Sequence, residues 1–439
     1  MDSKTVMDAR SSRPGCVQIP YVANGRVIRR NEDTSEDCLH LNVWTPCTEK
    51  TEAGCRKTVL VFFHGQSFQE GDNNYYDGKW LAGLGQVVVV APNFRLGAFG
   101  FLNLGCPEKR GWSANDFDCA PGDVGLDDQR LAVEWVVANI GSFGGNSKDI
   151  VLVGSGSGAW SVGAHILGAS ARGTSDQFWN NARFTKVILM SDSPLKRSFP
   201  ARSHALSARL GCSSDDVAEE LRCMRNKTAR DILDRTREPE DYLGPSVVAT
   251  PARARQVSGG RFFIGTVSNE GSHLADTVKR ATSGQGDMTT SVANFLNTTY
   301  GLVVPLQVYD AYRNSSAFFH GGVVDEEWWM SQLMGDIRFT CPLLTLGQEL
   351  ASVDENKVFG YIFDHRASFA LFNHTAGAPR FSELDFVFGV PLDGSRHATP
   401  EEERLSRTVI DIWSGFARTG YARGIAQSVN VIPKGRLRG

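Results

Sequence analysis

The chain has 439 residues, 41% hydrophobic and 22% charged, a balance that supports a large buried core and excludes a disordered or fibrous polypeptide. A formal net charge of −3 leaves no electrostatic footprint for nucleic acid, although the stretch Lys434 to Arg438 is locally basic. No apolar run approaches the roughly 18 residues needed to span a bilayer, so no transmembrane segment is expected, and Met1 to Pro14 is too polar for a signal peptide.

Taken in chain order, the strand signals are Thr58–Phe63, Val87–Asn93, Asp149–Val153, Lys186–Met190 and Phe262–Val267, with amphipathic helices between them. The four consecutive valines from Val87 to Val90 predict a central strand that is apolar on both faces. Helix Leu126–Asn139 sets Leu131, Val133, Trp135 and Val136 among charged residues and is expected to cover one face of the sheet. A late helix, Glu401–Arg418, carries Leu405, Val409, Ile412 and Phe416 at helical spacing. This alternation implies a mostly parallel sheet with helices on both faces, and without a linker, charge block or repeat the expectation is a single α/β domain over 1–439.

Eight of the nine cysteines fall as close pairs, Cys16/Cys38, Cys47/Cys55, Cys106/Cys119 and Cys212/Cys223, which points to an oxidising compartment and leaves Cys341 as a free, buried thiol. Four N-x-S/T sequons, at Asn226, Asn297, Asn314 and Asn373, lie in polar stretches and suit a glycosylated surface. Together they place the protein outside the cell or in the secretory lumen. No cofactor and no metal is expected.

The segment Ile150 to Gly163 runs from a buried strand through a glycine turn into a helix, where a hydrolase of the G-x-S-x-G type holds its nucleophilic serine. Here that frame reads Gly154-Ser155-Gly156-Ser157-Gly158, with glycine at its centre. The flanks carry a series of further stretches: SEDCLHLNVWTP (Ser35 to Pro46), VLVFFHGQSF (Val59 to Phe68), NFRLGAFGFL (Asn93 to Leu102), GLDDQRLAVEWVVANIGSFGG (Gly125 to Gly145), SNEGS (Ser268 to Ser272) and ELDFVFGVPL (Glu383 to Leu392). In that order they resemble the carboxylesterase type B (cholinesterase-like) family over roughly residues 16–424, which implies an α/β-hydrolase fold. The resemblance also implies disulfides at Cys16–Cys38 and Cys212–Cys223. Relatives carry several tens of residues before the Cys16 equivalent and a C-terminal cysteine that bonds the Cys341 equivalent, so the chain is expected to be truncated at both ends.

An esterase of this kind needs a serine, a histidine base, an orienting acid and backbone donors for the oxyanion. By the resemblance the serine position is Gly156, which has no side chain to attack with. The histidine position, opening an H-G-Y-E-like stretch, falls on Arg380 of Arg380-Phe381-Ser382-Glu383, and a guanidinium that stays protonated is no general base. The acid is retained as Glu270. The oxyanion loop, H-G-G-G in active relatives, is His64-Gly65-Gln66-Ser67, so Gln66 and Ser67 replace glycines and Gly-only conformations become less accessible. The remaining oxyanion donor is the N–H of Ser157. Ser155 and Ser157 lack the flanking glycines of a displaced nucleophile, and His374 belongs to its sequon rather than to a base site. Replacing a serine by glycine on such a turn also removes roughly 1–2 kcal/mol of positive-φ strain, so the loss should not harm folding.

The favoured reading is a catalytically impaired member, similar to the neuroligins in its elbow and oxyanion loop, that binds an extracellular protein partner as an adhesion or binding module. The rival is an active carboxylic-ester hydrolase using a displaced serine. A third is a small-ligand carrier lined by Phe68, Trp160 and the pair Trp328-Trp329. Relatives dimerise through a helix bundle that includes a last helix not present here, so a monomer, or a dimer through another surface, is expected.

Overall fold

The computed structural model describes residues 9–19, 22–23, 26–27, 33–48, 55–105, 120–168, 184–195, 203–236, 243–245, 249–281, 287–315, 319–320, 323–370, 377–394, 396–422 and 429–432. Its centre is an eight-stranded sheet built from β1 (Leu41–Trp44), β2 (Lys57–Phe63), β3 (Val88–Pro92), β4 (Gly145–Ser155), β5 (Lys186–Met190), β6 (Arg261–Val267), β7 (Lys357–Phe363) and β8 (Val429–Ile432). The strand order is β8-β7-β6-β5-β4-β2-β3-β1. All neighbours are parallel except the edge pairs, where β1 runs antiparallel to β3 and β8 to β7.

The helices that matter below are α1 (Val124–Asn139), α2 (Ser157–Ile166), α3 (Met288–Tyr300), α4 (Glu326–Gly335), α5 (Cys341–Ala351), α6 (Ser382–Val387) and α7 (Pro400–Thr419). One apolar cluster joins one face of the sheet to α1, α2 and α5, and a second joins the other face to α6 and α7. The central strand β3 is therefore buried on both sides, which is why it reads as an unbroken valine run. A third cluster forms around α3 and α4, with Leu296, Trp329 and Leu333 at its centre.

Sequence and structure agree on all five predicted strands, with ends that match to within one residue except in β4, which extends back to Gly145 across a register irregularity and on to Ser155. The edge strands β1 and β8 and the parallel strand β7 were not foreseen. Helix α1 corrects the face assigned from sequence. It buries Leu126, Gln129, Val133 and Val136, at spacings of three and four, whereas Leu131 is 59% and Trp135 36% exposed. Helix α7 follows its pattern, burying Val409, Ile412 and Phe416 with Leu405 at the margin. It opens on a capping box in which Thr399 and Glu402 satisfy each other's backbone N–H, with Pro400 in the first turn.

Disulfides join Cys16–Cys38, Cys47–Cys55 and Cys212–Cys223. The fourth expected bond, between Cys106 and Cys119, is not among these three. Cys106 and Cys119 both lie outside the described residues, so that pairing stays an expectation from the sequence. Cys341 is free but exposed, contrary to the buried thiol expected, because it opens α5 on the solvent side of the helix while Leu343 and Leu346 turn inward. Asn226, Asn297 and Asn314 are exposed, and Asn373 lies outside the described residues. Among the described residues no helix is long and apolar enough to cross a membrane. Peptide mapping without reduction should recover the three bonded pairs together with a fourth between Cys106 and Cys119, and a maleimide should modify Cys341 in the native protein. Cross-pairing, or a Cys341 that reacts only after denaturation, would contradict this arrangement.

Candidate functional site

The carboxyl ends of β2, β4, β5, β6 and β7 converge on one edge of the sheet, the edge at which open parallel sheets place their binding crevices. The turn after β4 is set by close packing. A Cβ on Gly158 would lie 2.0 Å from the Phe63 carbonyl oxygen, and one on Gly154 2.3 Å from that of Gly158. Only glycine lets the start of α2 approach β2 and β4 so closely. Between them Gly156 takes φ 55° and ψ −125°, and its N–H donates to the Met190 carbonyl over 2.8 Å. That left-handed backbone strains any L-residue, so the turn keeps the geometry of a nucleophile elbow with no side chain at its apex.

Beside it lies a buried ionic cluster. Arg380, with 6% of its side chain exposed, donates from Nη1 to Glu270 Oε2 over 2.7 Å and to the Ser191 carbonyl over 2.6 Å. Its Nη2 stands 3.6 Å from Asp192 Oδ2, and its guanidinium lies 3.5 Å from the centre of the Phe339 ring. Glu270 is held from the other side by the Val267 N–H at 3.0 Å. Burial pushes its carboxyl up from the usual range, against the opposing pull of Arg380. Glu383 lies next to this pair, accepting a 3.3 Å hydrogen bond from Ser191 Oγ. Burial, reinforced by the nearby Glu270 charge, raises its carboxyl to about 8. Arg338, stacked 3.7 Å over the Tyr300 ring, is a second desolvated guanidinium in this region.

The oxyanion-loop positions retain a glycine-like path despite their side chains. Gln66, Ser67 and Phe68 all have positive φ, at 79°, 55° and 65°. Three successive L-residues in this region cost about 1–2 kcal/mol each, so the surrounding packing fixes the loop against local preference. The Phe68 N–H donates to Ser157 Oγ over 3.2 Å, tying the loop to the start of α2. His64 is buried and stacked on Phe94 with ring centres 4.4 Å apart, in keeping with a structural part.

The sequence-assigned positions thus meet at one place: Arg380 bonded to Glu270, Gly156 beside the Arg380 guanidinium, and Ser157 tied to the loop that carries Gln66 and Ser67. Ser155 is fully buried, and Ser157, also buried, accepts a hydrogen bond from the Phe68 N–H. His374 lies outside the described residues. Phe68, Trp160 and Trp329 are core side chains, with Phe68 and Trp160 in edge contact, while Trp328 is half-buried. Sequence reasoning gave no role to Ser191 and Asp192, which follow a strand end, to Arg338 in a helical segment, or to Phe381 and Glu383 within the recognised tetrad. The one legible signal was Phe381, a bulky residue at the glycine position of its tetrad.

Two measurements test this electrostatic arrangement. Arg380→Ala strands the Glu270 carboxylate in a dry site and should lower unfolding free energy by about 3–5 kcal/mol, whereas Arg380→Ala with Glu270→Gln should recover part of it. A carboxyl with a raised folded pKa binds its proton more tightly when folded, so the stability it adds at low pH is lost as pH rises toward the folded value. His165, pushed down to about 3 by burial, opposes this below the ordinary histidine range. Between pH 6.5 and 8 the Glu383 effect, joined by Glu70 raised to about 8 by burial, dominates. The thermal midpoint should fall across that window, and Glu383→Gln should flatten the fall; an unchanged slope would remove Glu383 as its cause.

The carboxylesterase family profile matches residues 2–432. Acetylcholinesterase of Bungarus fasciatus is 32% identical over 457 residues, covering 94% of this chain and 70% of that protein. Cholinesterase of Mus musculus is 31% identical over 428 residues, covering 90% and 66%, and acetylcholinesterase of Electrophorus electricus 30% over 481, covering 94% and 72%. The mainly parallel sheet with helices on both faces is the α/β-hydrolase fold of that family. By its sequence over nearly its whole length and by its architecture, the chain belongs to the carboxylesterase family.

Proposed function

We propose that this chain is a non-catalytic member of the carboxylesterase family whose hydrolase scaffold serves as an extracellular binding or adhesion module. The observation that carries the reading is the contact between Arg380 and Glu270 beside Gly156. The acid that would orient a histidine is neutralised by a permanently charged guanidinium, and the apex of the elbow has no hydroxyl. The named relatives are cholinesterases, and these two positions are the reason their activity is not carried over. In well-studied hydrolases the loss of one triad member costs about 10⁴ to 10⁶ in turnover, and here two positions are changed.

A scaffold released from catalysis but still closely packed offers a stable outer surface for a partner, as in the neuroligins that its elbow resembles. Three disulfides among the described residues and exposed sequons at Asn226, Asn297 and Asn314 fit an oxidising, glycosylating compartment. The rival, an ester hydrolase with a displaced serine, has no observation in its favour, given the burial of Ser155 and the hydrogen bond held by Ser157.

Purified protein should show no turnover above background on short aryl or choline esters and no covalent labelling by a fluorophosphonate. Turnover that disappears in Ser155→Ala or Ser157→Ala would overturn the non-catalytic reading and move the nucleophile to that serine.

A further inference from the structure

We infer that the Phe381 ring occupies the space of the missing nucleophile, so that Gly156 and Phe381 act as a complementary pair and Phe381 is itself a barrier to catalysis. The inference rests on the non-catalytic reading above and adds a steric term to it. A Cβ built on Gly156 would come within 2.8 Å and 2.9 Å of Phe381 Cε1 and Cζ, closer than real Cβ contacts. A Cβ on Gly65, on the opposite strand end, would meet the same two ring atoms at 3.0 Å and 3.2 Å. The ring tip is therefore wedged between two residues without side chains, one at the elbow and one at the start of the oxyanion loop.

The ring has little freedom to leave this slot. Phe381 has φ 70°, an unfavourable conformation for a residue with a Cβ, which places its side chain toward the elbow. Its neighbour Arg380 is anchored to Glu270 and Ser191, and the Arg380 guanidinium lies 4.8 Å from the Phe381 ring centre. The segment just before it is stitched to the strand end of β6, because the Ala378 N–H donates to Ser268 Oγ over 2.8 Å and the Asn269 N–H to the Ala378 carbonyl over 2.9 Å. The wall that carries Phe381 is thus fixed to the same loop that carries Glu270. A side chain has in effect moved from one wall of the crevice to the other.

A consequence follows for re-engineering. Restoring serine and histidine at positions 156 and 380 returns the chemical groups but drives the new serine into the ring, so Phe381→Gly is needed as a third change.

A double-mutant cycle on the full chain decides the matter without relying on activity. Gly156→Ala and Gly156→Ser each introduce a Cβ at positive φ, and that backbone cost is the same whether or not the ring is present. In the native background each should lower the thermal midpoint by about 2 °C or more; in the Phe381→Gly background the drop should shrink to the backbone part that remains. Additive effects in both cycles overturn the inference. A fluorophosphonate supplies a second reading: labelling of Gly156→Ser/Arg380→His that does not require Phe381→Gly overturns it as well. Labelling of the unmodified protein would sink the non-catalytic reading, whereas the stability cycle stands or falls on the ring alone.

Discussion

A carboxylate buried at the edge of a parallel sheet must be compensated, and around Glu270 that requirement organises the whole crevice. Glu270 follows β6, receives one backbone N–H from Val267, and is still short of a countercharge in a dry environment. Arg380 supplies it from the opposite wall. To reach Glu270, the Arg380 side chain also crosses the Ser191 carbonyl, Asp192 and the face of Phe339, so three separate segments are fixed by one guanidinium. In a working hydrolase the partner of this acid must be able to gain and lose a proton. Here it is a guanidinium that stays protonated, and its contacts hold the loops of the crevice together.

The second carboxyl, Glu383, shows how tightly the crevice is balanced. Asp192, Glu270 and Glu383 stand near Arg380 and Arg338, and the like-charge neighbour together with burial favours the protonated form of Glu383. Its hydrogen bond from Ser191, a residue itself at positive φ of 65°, ties this group to the turn after β5. The crevice therefore holds its charges in near-equal number within a small volume, with little room for a further ionised group.

Much of this was legible in the sequence, for identifiable reasons. Parallel strands buried on both faces announce themselves as apolar runs, and the elbow is marked by glycines whose spacing is dictated by close packing. The edge strands β1 and β8 escaped because a strand paired on one side only carries a weaker apolar pattern. Helix α1 was recognised with half of its inward face correct: Val133 and Val136 are buried, Leu131 and Trp135 are apolar yet face solvent, and the polar Gln129 is fully buried, its amide bonded to Ser161 and His165. A hydropathy pattern does not anticipate a polar side chain that satisfies itself inside. Short sequence separation picked out three cysteine pairs that the fold does bring together, whereas the same argument for Cys106 and Cys119 falls on residues outside those described. Gly156 and Arg380 could be assigned one by one, but their meeting with Phe381 is a tertiary fact, created where loops after different strands are brought together.

The glycines flanking the elbow have a meaning that reaches past this chain. Gly154 and Gly158 are demanded by the contact between a strand and the helix that follows it, where even a methyl group has nowhere to go. Their presence is a statement about architecture, set by packing and not by chemistry. A pattern search that scores the outer glycines gathers chains that share this packing, whatever residue stands between them. What distinguishes such chains sits in the single residue between, and in the side chain that stands beside it.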